Sequence, residues 1–329
     1  MDKLSLCMIV KNEEKNIGTC LQSVTGLVGE IILVDTGSTD RTIEIAADFS
    51  PAVFHMDWPG DFSKARNFSI QQAIGEWILV LDADEELPVI TKELIPDLLN
   101  ACSVDGIRLL QRNYQPQGEL VRYNDIKVTR LFRNHPEIQY EGIIHESVSD
   151  SIGRKGGDIL QTDLVIHHYG YQQMTAQGNE SRGQRNCSLL IKALESSGED
   201  PYLHFQLGST YKHLRQPDLA RFHLRKAVSL NRGTLTNEIL EEIFMKLAQI
   251  ASEENKLEDC IRYAKGSLGY GKNNVISMYL LALAYMHQKK IDKAYPLFLK
   301  IKNYAALLSS QTELDQVIAY CQQVIQEKK

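Results

Sequence analysis

At 329 residues the chain is long enough for two domains. Its net charge of −6 argues against a nucleic-acid binder, which would present a basic surface. Six cysteines (Cys7, Cys20, Cys102, Cys187, Cys260, Cys321) are scattered without a Cys-x-x-Cys pair, which fits the reduced thiols of a cytoplasmic protein rather than a disulfide framework or a zinc site. No apolar run approaches transmembrane length, and the apolar patch Leu4–Val10 is too short for a signal-peptide core.

In chain order, Leu4 to Val10 reads as a buried strand broken by Lys11-Asn12-Glu13-Glu14, after which Ile17, Leu21 and Val24 keep helical spacing. Glu30 to Val34 is a second strand, ending on Asp35. Thr36-Gly37-Ser38-Thr39-Asp40 is rich in helix-start residues, and Ile43, Ala46 and Ala47 follow as a helix face. Ala52 to Met56 predicts a third strand, Phe62 to Ile74 a helix with Gly75 as its stop, and Trp77 to Leu81 a fourth strand. Strand and helix thus alternate four times, which predicts a parallel sheet covered by helices on both faces.

The fourth strand ends on Asp82-Ala83-Asp84-Glu85. Alternate side chains of an extended strand share a face, but two carboxylates converge at a strand end only if the backbone bends there. Ligands of open α/β sheets bind beyond such carboxyl ends, and paired carboxylates there suit a hard divalent cation with phosphate oxygens. The competing reading is an acidic turn ahead of the helix after Pro88. That helix carries Leu94, Leu98 and Leu99, and strands are expected at Gly106–Leu110 and Lys127–Phe132, around a polar loop with Pro116 and Gly118. Ile143 to Ser147 and Leu164 to His168 read as further short strands of a mixed sheet.

From about Asn179 the strand signal stops and a repeat begins. Pro201 to Tyr211, with Ala220, Leu224 and Ala227, has tetratricopeptide spacing. Leu247-Ala248, Ala251, Cys260 and Ala264 form a second unit; Leu281-Ala282, Tyr285, Ala294 and Phe298 form a third. Arg232 stands where such a repeat often has proline, and Glu313 to Ile325 reads as a capping helix. Helical repeats serve mainly as binding surfaces or spacers.

The motifs Val10-Lys11-Asn12-Glu13-Glu14, Val34-Asp35-Thr36-Gly37-Ser38-Thr39-Asp40, Asp61-Phe62-Ser63-Lys64-Ala65-Arg66-Asn67 and Asp82-Ala83-Asp84-Glu85, in this order, resemble the family 2 glycosyltransferases of the GT-A fold. The resemblance covers roughly residues 1 to 170. With the repeats, the chain resembles a branch that includes peptide S-glycosyltransferases of the sublancin type, which modify bacteriocin cysteines. Other branches act on lipopolysaccharide core sugars. The resemblance implies an α/β GT-A domain over residues 1–177 and an all-α linker and tetratricopeptide domain over 178–329.

It also implies roles at matching positions. Asp35 would contact the uracil or ribose of a UDP-sugar, with Val10, Asn12 and Glu13 bordering the base pocket; Asp35 as a helix cap and Glu13 as a solvated helix start are the alternatives. Lys64 and Arg66 would lie near the diphosphate or the sugar, where their charge would neutralise phosphate. Asp82 would hold ribose or metal-bound water, and Asp84 would ligate Mg2+ or Mn2+. A late histidine of the family matches His168 rather than His167; histidine favours manganese over magnesium. His168 as a hydrogen-bonded core residue is the competing reading. The family's base, a carboxylate in a Glu-Asp-like motif, falls at His145-Glu146, a departure that leaves both residues as candidates. On an extended strand they face opposite ways, so only one meets the acceptor; because the family places a carboxylate in this role, Glu146 is taken as the base and His145 as the orienting or metal-side residue. Arg130 and Arg133, just upstream, would steady this motif or lie on the surface.

The expected protein is therefore a cytoplasmic, inverting, metal-dependent glycosyltransferase with a polypeptide acceptor, whose repeats hold the acceptor, a second copy of the chain, or both. Transfer to a lipopolysaccharide or cell-wall glycan is the rival within enzymes. An inactive repeat-containing scaffold is the rival from another class, opposed by the intact Asp35, Asp82 and Asp84.

Overall fold

The computed structural model describes residues 3–115, 122–170, 176–304 and 311–327. Pro116, Gly118 and Tyr171 lie outside these residues. The chain divides into two compact units, Met1–Ser181 and Arg182–Lys329.

The first unit opens with β1 (Leu4–Val10), α1 (Ile17–Val24), β2 (Glu30–Asp35) and α2 (Thr42–Ala46), then β3 (Ala52–His55), α3 (Phe62–Gln71) and β4 (Trp77–Val80). It continues with β5 (Glu85–Glu86), α4 (Val89–Ala101), β6 (Gly106–Gln115), β7 (Arg122–Arg133), α5 (Ser149–Arg154) and β8 (Ile159–His168). The strands form one sheet in the order β3-β2-β1-β4-β7-β6-β8-β5. The first four run parallel, and β7 joins β4 antiparallel. Strand order reverses around β1, which has β2 on one side and β4 on the other, so the carboxyl ends of these strands open a crevice.

Side-chain alternation explains the unbroken apolar strands. Leu6, Met8, Trp77, Leu79 and Leu81 face α1 and α4, meeting Ile17, Leu21 and Ile95. Cys7, Ile78 and Val80 face the other way, onto Ile70 of α3 and onto Phe132, Tyr140 and Ile152. Burying each such large side chain contributes about 1.5–3 kcal/mol.

Two local expectations are corrected. The helix α3 stops at Gln71 rather than Ile74, and Gly75 is not a helix stop: its N–H donates to Ser5 Oγ at 2.9 Å, and a Cβ there would sit 2.5 Å from that oxygen. Gly75 is required by close chain approach. The strand expected over Ile143 to Ser147 is absent. Glu141 and Ser147 exchange backbone hydrogen bonds of 3.0 and 3.1 Å, and Gly142 (φ 100°) and His145 (φ 58°) turn the segment between them into a tight loop. Ser63 Oγ donates to Gly142 O at 2.6 Å, and Phe62 N to Ile143 O at 2.9 Å, so the loop sits on the first turn of α3.

The helix α6 (Ala176–Ser197) carries the chain from the first unit into the second, which continues with three helix pairs: α7 (Pro201–His213) with α8 (Pro217–Leu230), α9 (Asn237–Glu253) with α10 (Leu257–Tyr270), and α11 (Val275–His287) with α12 (Ile291–Lys302). The helix α13 (Gln311–Glu327) follows. Each pair turns on one left-handed residue, Arg215, Asn255 or Lys289, with φ of 56–58°. The next residue's N–H reaches back five positions, from Gln216 to Tyr211 O, Lys256 to Ala251 O and Lys290 to Tyr285 O, at 2.8–2.9 Å, which satisfies an end carbonyl of each first helix. Ala220, Ala248, Ala264, Ala282 and Ala294 are buried where the helices cross, and Phe298 fills the third pair. At Arg232 the missing proline is replaced by a turn built on Asn231, whose Oδ1 accepts from Gly233, Thr234 and Leu235 N–H groups.

Candidate active site

The loops after β1 and β2 are stitched into one wall. Val10 O accepts from Thr36 N and Oγ1 at 2.9 and 3.0 Å. Asn12 holds a left-handed backbone (φ 56°), donates through its N–H to Ser38 Oγ at 3.0 Å, and accepts from Thr39 N at 2.8 Å. Glu13 N donates to Thr42 Oγ1 at 2.7 Å, and Glu13 Oε2 accepts from Asn16 at 2.9 Å. Asp35, buried at the end of β2, accepts from Ser38 N at 3.0 Å with one oxygen and faces His55 Nδ1 at 3.3 Å with the other. Val10, Asn12, Glu13 and Asp35 are therefore brought together. His55 was not picked out from sequence, because a lone histidine at a short strand's end carries no pattern.

Beyond β4 the backbone turns sharply: Glu85 N donates to Asp82 O at 2.9 Å. The bend sends the two aspartates to different partners. Asp82 accepts from Arg66 Nη2 at 2.7 Å and Arg130 Nη2 at 2.9 Å. Partial burial opposes its charge, yet these two guanidinium groups hold its carboxyl well below the usual carboxylate range. Glu85 is fully buried; it accepts from Arg130 at 2.6 Å and from Asp82 N at 2.8 Å. Burial pushes its carboxyl up to about 7, against the pull of Arg130. Cys20 of α1 donates its Sγ–H to Asp82 O at 3.4 Å and fastens the turn from below. Arg130 thus serves the aspartate turn and not the His145-Glu146 motif, while Arg133 stacks over Trp77, 4.1 Å from the ring centre.

Asp84 points toward His168, with Oδ2 3.4 Å from Nε2. The edge strand β5 pairs Glu85 with His168, and Tyr169 N donates to Asp84 O at 3.0 Å, so β8 delivers the histidine to the turn. Nδ1 of His168 lies 2.6 Å from Asn113 Oδ1, and since a carbonyl oxygen only accepts, Nδ1 carries the proton. Burial disfavours the imidazolium, but the hydrogen bond and charge of Asp84 raise His168 above its ordinary value. Gly170 keeps this corner open: a Cβ there would lie 2.1 Å from Asp84 Oδ2. Asn113, Glu85 and Gly170 carry no sequence signal as site residues: Asn113 meets His168 through the register of β6 and β8, Glu85 meets the Arg130 side chain from β7, and Gly170 meets Asp84 just beyond β8.

Lys64 and Arg66, both on α3, diverge. Asp61 caps the helix by accepting from Lys64 N at 3.1 Å, and the Lys64 side chain is 73% exposed. The Arg66 side chain is 7% exposed and donates Nε to Glu146 Oε1 at 2.7 Å. Glu146, 11% exposed, thereby joins the aspartate turn, whereas His145 lies exposed on its loop. Their divergence comes from loop geometry, not from strand alternation as expected. Among the described residues no group of three or more His, Cys, Asp or Glu side chains could hold a metal, and no helix is long and apolar enough to cross a membrane.

Comparison with known proteins agrees with this architecture. Residues 5–140 match glycosyl transferase family 2, and residues 201–234 match a tetratricopeptide repeat. An uncharacterized glycosyltransferase of Rickettsia felis is 30% identical over 54% of this chain and 67% of its own length. A TPR repeat-containing protein of Synechococcus elongatus is 33% identical over 79% of this chain, and the prophage-derived glycosyltransferase SunS of Bacillus subtilis 29% identical over 68%. The chain spans 64% and 52% of the lengths of these last two relatives. With its motifs gathered at the carboxyl ends of β1, β2 and β4 and its helix pairs following, the chain belongs to glycosyl transferase family 2 and carries tetratricopeptide repeats.

Proposed function

We propose that the chain is an inverting, divalent-metal-dependent glycosyltransferase that moves a sugar from UDP to a polypeptide side chain, cysteine or Ser/Thr. The observation that carries this reading is the corner made by Asp84, His168 and Gly170 at the mouth of the sheet's switch point. It offers one carboxylate oxygen and one imidazole nitrogen whose partner nitrogen is pinned by Asn113, the support metal-ligating histidines receive. Two protein ligands leave positions for diphosphate oxygens, so Asp84 and His168 fit Mn2+ or Mg2+. Bound there, the cation would supply charge for the departing diphosphate.

The chain's own residues do the rest. Asp35 accepts from the nucleoside, in the wall shared with Val10, Asn12 and Glu13. Asp82 stays ionised between its guanidinium partners and faces ribose, with a third of its side chain open to solvent. The exposed Lys64 ammonium, 3.9 Å from Asp61 Oδ2, exchanges that contact for phosphate. As the acceptor attacks the anomeric carbon, Glu146 takes its proton, and the bond to the diphosphate oxygen breaks with its electron pair on the leaving group. A thiol acceptor needs less help from Glu146 than a hydroxyl, having a pKa near ~8.5. The repeats hold the polypeptide.

The reading is tested by UDP release from UDP-sugars in Mn2+ and in EDTA, with mass spectrometry of co-expressed peptides for the acceptor. Asp84→Ala should lower UDP release by at least ~10²-fold, the usual loss when a transition-state charge partner is removed. Wild-type turnover of that variant in EDTA would sink the metal reading, and unmodified peptides beside a modified glycan would sink the polypeptide acceptor.

A further inference from the structure

Arg66 occupies a place that a phosphate ligand would not need. Its side chain is almost wholly buried, and one edge of the guanidinium is divided between two carboxylates, Nε to Glu146 and Nη2 to Asp82, both at 2.7 Å. Its remaining nitrogen, Nη1, is buried without a protein partner, and the ring of Tyr140 lies 5.4 Å from its Cζ. Asp82 is itself held from its other oxygen by Arg130 at 2.9 Å. The α3 helix, the turn after β4 and the 141–147 loop therefore meet through one planar fork. A lysine could supply the charge but not two bonds along one edge.

Glu146 needs such a support. It stands on an irregular loop with two left-handed residues, Gly142 and His145, not on a strand that would fix its direction. Asp82 belongs to the donor side of the crevice, and Glu146 is assigned to the acceptor. We propose that Arg66 is a positioning residue for transfer: it ties the Glu146 carboxylate to Asp82 and so sets the proton acceptor at a constant place relative to the donor. This rests on the reading of Glu146 as base. It assigns Arg66 a task different from the contact with the diphosphate or the sugar implied by family resemblance.

A double-mutant cycle tests it, using Arg66→Lys, Glu146→Gln and the double variant in the full chain. The donor is whichever of UDP-glucose, UDP-galactose, UDP-N-acetylglucosamine and UDP-N-acetylgalactosamine gives the fastest UDP release, with water as acceptor; calorimetry measures UDP affinity. Glu146→Gln should lower kcat by about 10²–10⁴-fold. Arg66→Lys should lower kcat by about 10²-fold, the cost of an ~1 Å misplacement, with donor KM and UDP Kd within about twofold of wild type. The double variant should be no slower than Glu146→Gln alone, because Arg66 acts through that carboxylate. Multiplying losses, or UDP binding tenfold weaker in Arg66→Lys with kcat kept, would overturn the inference while leaving the base assignment standing. Wild-type kcat in Glu146→Gln, or no turnover of any donor by the wild-type chain, would remove the functional reading and the inference with it. Should Arg66→Lys fail to fold, Glu146→Asp carries the same test, since it withdraws the carboxylate from the guanidinium: kcat should fall as in Glu146→Gln, and full kcat would overturn the inference.

Discussion

Gly170→Ala gives the most direct test of the corner beside Asp84. The added Cβ would lie 2.1 Å from Asp84 Oδ2, 2.8 Å from His168 Nε2 and 3.1 Å from Asp84 Cγ. Carbon contacts settle at about 3.5–4.0 Å, so the carboxylate must retreat by roughly 1 Å or the 168–170 backbone must lift by as much. Such overpacking costs about 1–3 kcal/mol of stability, and a ~1 Å displacement of a positioned group costs about 10²-fold in rate. The assay is UDP release from the best donor across a Mn2+ titration, beside a thermal melt. The expected result is a folded protein with kcat lowered about 10²-fold and a raised Mn2+ requirement. Its affinity for UDP without metal should be unchanged, because the wall around Asp35 is untouched. Wild-type kcat with a wild-type Mn2+ dependence would refute both the crowding argument and the place given to the metal.

Two further outcomes are expected. Calorimetry should show Asp35→Ala binding UDP more weakly by about 1–3 kcal/mol, the loss for a charged hydrogen bond, and tighter binding of GDP than UDP by the wild type would reject uridine. In the repeats, His223 stacks on His204, with Nδ1 atoms 2.8 Å apart, and also faces Tyr211, Phe222 and Lys226; burial, then the charges of His204 and Lys226, push it down to about 4. The unfolded chain then binds more protons than the folded one between pH 4 and 6.5, so stability should rise with pH across that window and be lost as pH falls through it. His223→Gln should flatten this slope in pH-dependent melts relative to wild type; an unchanged slope would reject the assignment.

Much of this protein is written in local patterns. Leu4–Val10, Glu30–Val34 and Trp77–Leu81 announce strands buried on both faces, because they are apolar, too short for a helix and closed by polar or turn-forming residues. The small residues of the helix pairs announce repeats because only small side chains let helices approach so closely. A turn at Asp82-Ala83-Asp84 was also legible, because charged residues end the apolar strand there, but the two carboxylates do not converge on one point: Asp82 turns to Arg66 and Arg130, and Asp84 to His168. What sequence could not disclose is who meets whom. Arg66 lies sixteen residues from Asp82 and eighty from Glu146, yet one guanidinium binds both. Arg130 turns to Asp82 and Glu85 although it precedes the His145-Glu146 motif along the chain. Asn113 reaches Nδ1 of His168 only because β6 and β8 run in register. Periodicity reports which residues leave water. The pairing of buried charges depends on where strands and loops from distant parts of the chain come to rest, and that is decided by packing in three dimensions.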